Sequence, residues 1–114
     1  MVDISFRVRG IFEMNKINYY ISALVSAIEC AEQERTNIRK GCDSLWNYDQ
    51  INNVVLPELT ELLSYAKQGE LFFKYGKKQR MLESSYIITD SMQDLNHTTL
   101  GEKLQELQKA YSSL

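Results

Sequence analysis

His97 is the only histidine of the chain, three residues after Asp94. That spacing can place two ligands on one metal ion. A carboxylate metal site in a helix bundle needs a second such pair and further inward carboxylates. Glu58 and Glu61 repeat the spacing without a second imidazole, so no metal site is expected. Cys30 and Cys42 have no local base, and a nucleophilic thiolate needs a histidine, a cation or a helix N-terminus to lower its pKa. Cys30 stands near Glu29 and Glu32, which oppose ionisation. Cys42 follows Lys40 in a turn and is the more reactive candidate. Their separation matches no zinc pattern, and two cysteines are too few for a disulfide framework, so two free thiols are expected. Gly69 and Gly76 are separated by aromatic and basic residues, unlike a phosphate-cradling loop. No two carboxylates are paired in sequence as acid and base. The expectation is a non-catalytic protein with no catalytic, cofactor-binding or metal-ligating residues.

One concentrated patch could bind something. Lys74, Lys77, Lys78 and Arg80 are interleaved with Phe72, Phe73 and Tyr75. Basic residues among aromatics can hold phosphates and stack on bases. The same residues can form a solvated helix face whose lysine stems cover apolar surface, or meet an acidic protein. The net charge of −2 argues against a general nucleic-acid binder, which needs a basic surplus to displace phosphate counterions. Seven tyrosines and four phenylalanines favour an assembly, because tyrosine offers large contact area at low entropic cost. The partner expected is another protein or a second copy of the chain.

Helices must position these residues. A chain of 114 residues with 44% hydrophobic and 25% charged content fits a single globular helical domain over residues 1–114. A single proline and five glycines leave few hairpin turns. The spacing predicts a helix over Asn15 to Lys40, with Ile17, Ile21, Leu24, Ile28 and Ala31 on one face, widened by Tyr20 and Ala27, and Gly41 as its stop. Asp43 or Ser44 is the expected cap of a second helix carrying Leu45, Tyr48, Val55, Leu56, Leu59, Leu62, Leu63 and Ala66. Pro57 should kink or break it. A third is expected from about Glu70 to Asp94. A Thr99–Glu102 capping box should open a fourth, with Leu100, Leu104, Leu107, Tyr111 and Leu114 as a heptad-type seam. The first dozen residues are ambiguous: Ile4, Phe6 and Val8 alternate as in a strand, while Ile4, Val8 and Ile11 fit a helix. The architecture expected is an all-α, up-and-down four-helix bundle with a core including Ile21, Leu24, Ile28, Val55, Leu59, Leu62, Leu82, Tyr86, Leu104 and Leu107.

Trp46 follows the stop at Gly41, and Tyr86-Ile-Ile-Thr-Asp90 lies forty residues further on. This pattern resembles the small Trp-x-Gly helical hairpins exported by type VII systems of Gram-positive bacteria, with Tyr48 where that family has glycine. The resemblance implies a helical hairpin turning at Trp46, with Tyr86 and Asp90 as an export signal. Otherwise the N-terminus shows no signal-peptide pattern and no apolar stretch is long enough for a membrane span, so the expected location is cytoplasmic by default. The function expected from the residues themselves is a protein–protein interaction module of the adaptor, regulatory or immunity type.

Overall fold

The computed structural model describes residues 4–69, 81–90 and 94–114, with side chains from 15 onward. The first helix, α1, spans Ile4–Arg39 and is 36 residues long. The ambiguous N-terminal segment is therefore helical from Ile4, not a strand. The helix stops at Gly41, whose φ is 86°. The Gly41 amide bonds the Ile38 carbonyl at 3.0 Å and the Cys42 amide bonds the Asn37 carbonyl at 3.0 Å. This paired closure requires a left-handed residue, which glycine adopts without a Cβ penalty.

The next helix starts later than the sequence suggested. Asp43 and Ser44 lie in the turn, and Asn47 is the cap. Its side chain accepts the Gln50 amide at 2.8 Å while Gln50 accepts the Asn47 amide at 2.9 Å. Leu45 is consequently left half-exposed in the turn rather than on the apolar stripe. The short α2 (Tyr48–Gln50) runs into a π turn over Ile51–Val55 and then α3 (Leu56–Lys67). Gln50, Ile51, Val55 and Leu56 all keep right-handed helical angles, so the helical path is continuous. Pro57 falls in the first turn of α3, immediately after the π turn, where the Leu56 amide already reaches back to the Ile51 carbonyl. Proline disrupts an α-helical ladder by lacking a donor and crowding the carbonyl four residues back. Here the ladder has already changed step.

The third helix departs most from expectation. Met81 and Leu82 are not helical, and the described helix α4 spans Glu83–Asp90. A helix unbroken from Glu70 to Asp94 is excluded. Tyr86, expected in the core, is 51% exposed, because Ser84, Ser85 and Ile88 form the buried face instead. A 3₁₀ turn over Leu95–His97 leads to α5 (Thr99–Ser112). The capping residue is Thr98, one position before the one expected, and its hydroxyl accepts the Gly101 amide at 3.0 Å. With Thr98 as cap, the third helical position is Gly101, so Glu102 cannot close a box.

Counting the α2–π–α3 run as one, four helices form an all-α bundle, and no strand occurs among the described residues. Arg35 bonds Asn52 near the turn joining α1 to α2, while Tyr19 and Tyr20 of α1 meet Glu106 and Tyr111 near the end of α5. The start of α5 is held to the turn after α1 by the bond from Trp46 to Thr98, so α5 runs antiparallel to α1. Among the described side chains of α1, Tyr20, Leu24, Ala27 and Ala31 are fully covered, with Ile21 and Ile28 only partly buried, so the buried stripe is rotated slightly from the one expected. Leu100, Leu104, Leu107 and Tyr111 of the predicted seam are all buried. Tyr20 and Tyr111 pack with ring centroids 5.9 Å apart. Burying side chains of this size stabilises a fold by about 1.5–3 kcal/mol each.

Candidate functional site

The basic and aromatic patch of Phe72, Phe73, Lys74, Tyr75, Lys77, Lys78 and Arg80 lies outside the described residues. Three other places gather polar side chains from separate elements.

The first is the seat of α4. Glu58, only 5% exposed, sits on α3 and faces the first turn of α4. Its carboxylate accepts the Glu83 amide at 2.7 Å, the Ser84 amide at 2.9 Å and the Ser84 hydroxyl at 2.8 Å. Gln108 of α5 approaches the same turn. Its Oε1 accepts the Leu82 amide at 2.8 Å and the Ser85 hydroxyl at 2.9 Å, and its Nε2 donates to Ser112 at 3.0 Å. The first amides of a helix have no partner inside it. Here side chains of two other helices supply them, and the negative carboxylate also complements the positive helix end. A buried carboxylate with several donors is satisfied, whereas one without them would be costly.

The second is the joint between the first turn and the start of α5. Trp46 is 3% exposed, and its indole N–H donates to Thr98 Oγ1 at 3.0 Å. The Thr98 hydroxyl donates to the Leu95 carbonyl and accepts the Gly101 amide. One donor and two acceptor positions of a hydroxyl are then all used. Upstream, the Ser44 hydroxyl donates to Glu34 and accepts the Trp46 amide, tying the turn to α1. A Cβ on Gly101 would come within 1.8 Å of the Leu95 carbonyl oxygen, so only glycine permits this approach.

The third is an open groove of about 340 Å³ lined by Asn15, Lys16 and Tyr19 of α1 and by Lys109, Ala110 and Ser113 at the end of α5. Tyr19 donates to Glu106 at 2.8 Å, and this bond, more than any burial, raises its phenol above the ordinary value of 10.0. Lys16 and Lys109 stand at the C-terminal end of α5, where cations offset the negative helix pole.

The residues weighed for chemistry are dispersed. Asp94 and His97 are exposed beside the 3₁₀ turn. Among the described residues no group of three or more His, Cys, Asp and Glu side chains is arranged to hold a metal. Cys30 is partly buried, and desolvation first and Glu34 second push its thiol up from 9.0, with Lys103 opposing. The acidic neighbour is thus Glu34 rather than Glu29 or Glu32. Cys42 is exposed just beyond Gly41. Tyr86 and Asp90 are both exposed on α4, one helical turn apart.

Sequence reasoning missed Glu58, Gln108 and Thr98 as joints. The only local signal was a threonine followed three residues later by glycine. No family model matches the chain, and neither a curated protein nor a solved structure is significantly similar to it. No helix among the described residues is long and apolar enough to cross a membrane.

Proposed function

We propose that the protein is a non-catalytic helical interaction module of the adaptor, regulatory or immunity type, acting on another protein or on a second copy of itself. The observation that carries this reading is the length of α1. Its 36 residues make a rod about 54 Å long at 1.5 Å per residue. The end of α5 lies beside Asn15, Lys16 and Tyr19, and α1 continues from there back to Ile4. A stretch of that length is marginal as a helix in water without an apolar surface to pack on. The sequence carries Ile4, Val8 and Ile11 there at helical spacing.

The test is Val8→Asp. It should abolish co-purification of the protein's partner, or dissociate its dimer in sedimentation, while the circular dichroism of the rest persists. A wild-type protein that is strictly monomeric and captures nothing stable from its host overturns the reading.

A second reading follows the exposed pair Tyr86 and Asp90. A receptor reading an export signal needs both side chains accessible, and they are. Under this reading the protein is secreted by a type VII system, and Tyr86→Ala removes it from the culture medium. Strict retention of the wild-type protein inside the cell rejects it.

A further inference from the structure

The attachment of α4 differs in kind from that of the other helices. It is eight residues long, and a helix of that length does not persist alone in water. Its buried face is Ser84, Ser85 and Ile88, preceded by Leu82. By contrast α5 buries Leu100, Leu104, Leu107, Ala110 and Tyr111. Ile87 of α4 packs partly against the core as well, so α4 is held by less buried apolar surface than α5. Directional bonds hold it too: three into the Glu58 carboxylate and two into the Gln108 carbonyl. These bonds converge on two acceptor side chains, one on α3 and one on α5.

We propose that α4 is a strap that opens as a unit, with Glu58 and Gln108 as its latch, while the α1–α3–α5 core stays folded. Local unfolding selects elements with few buried apolar contacts, and among the described residues α4 has one buried apolar side chain, Ile88. Opening uncovers Leu82 and Ile88 together with the two acceptors of the latch. It also changes the support under Tyr86 and Asp90. The device is independent of whether the protein has a partner.

The latch gives a residue-specific readout. The amides of Glu83 and Ser84, unprotected at the start of an ordinary helix, are bonded here by Glu58, and that of Leu82 by Gln108. Amide exchange of the full-length protein, followed by NMR under native conditions, tests the proposal. In the wild type, amides of Leu82 to Asp90 should exchange at least about tenfold faster than those of Leu24, Ala27, Leu104 and Leu107. In Glu58→Ala the α4 amides should speed up by a further tenfold to hundredfold or so, the range for losing hydrogen bonds to a charged acceptor, with α1 and α5 unchanged. Ser84→Ala, which removes a single bond, and Gln108→Ala should give smaller shifts confined to the same residues. If α4 exchanges at the same rate as α1 and α5 in the wild type, it opens only with the whole molecule and the proposal is overturned, whatever the variants do.

Discussion

The Trp46 indole donates to the Thr98 hydroxyl across 52 positions of sequence. That bond makes one threonine the cap of α5, a brace on the Leu95 carbonyl and the anchor of the turn after α1. Thr98→Val keeps the shape and removes all three roles. It should cost about 1–3 kcal/mol, the scale of a lost cap together with a buried donor left unpaired. Thr98→Ser should retain most of the stability. Urea denaturation followed by the emission of the single tryptophan measures both.

Gly101→Ala tests the contact beside that cap. Alanine is favoured over glycine in helices by about 1 kcal/mol, so helix propensity alone predicts stabilisation. The new Cβ would meet the Leu95 carbonyl at 1.8 Å, and backbone cannot step aside cheaply. The expected result is a lowered melting temperature. At Gly41 nothing crowds the site and φ is +86°, so Gly41→Ala should cost only about 1 kcal/mol, from backbone strain alone.

Burial separates two residues that the sequence had grouped in one core. Leu107 is 0% exposed and Tyr86 is 51% exposed. Leu107→Ala should lose about 2–5 kcal/mol of stability, while Tyr86→Ala should stay within about 0.5 kcal/mol of wild type. Chemical denaturation midpoints of the two variants give the comparison.

The two thiols should react at different rates. Burial and Glu34 hold the Cys30 thiol up, so less of it is thiolate at neutral pH, and it is partly covered. A chromogenic disulfide reagent at pH 8 should modify Cys42 first, with Cys30 following slowly or on unfolding. Equal rates in the folded protein would contradict the packing around Cys30.

Tyr19 supplies a pH dependence whose sign is fixed. Its proton is the one donated to Glu106, and its folded pKa is raised above 10.0. The stabilisation is intact below pH 10 and fades as pH rises through the elevated folded value. Spectrophotometric titration of Glu106→Gln should show one phenol titrating lower than in the wild type.

Much of this fold was legible because it depends on periodicity. The Leu100–Leu104–Leu107–Tyr111 seam and the Tyr20–Leu24–Ala27–Ala31 line are local patterns that any packing surface would read the same way. Gly41 was legible for a related reason, since a helix stop needs its backbone freedom whatever lies nearby. Thr98 and Thr99 are both good caps, and choosing between them required the close approach of Gly101 to Leu95, which no local rule encodes. The burial of Glu58 was not legible at all. A glutamate on an amphipathic helix reads as solvated until its donors, contributed by Glu83 and Ser84, are known. Tyr86 was misplaced because a period extended across Met81 and Leu82 assigned it to a face of a helix that does not run through them.

The π turn at Ile51–Val55 acts as a rotational offset. A helix advances about 100° per residue, so a loop that takes up one additional residue turns back everything beyond it by about that angle. Had the same residues continued in regular α-helical step, Glu58 would point about a quarter-turn away from the first turn of α4. The aim of one buried carboxylate, and with it the seat of a whole helix, is set by which carbonyl the Leu56 amide chooses.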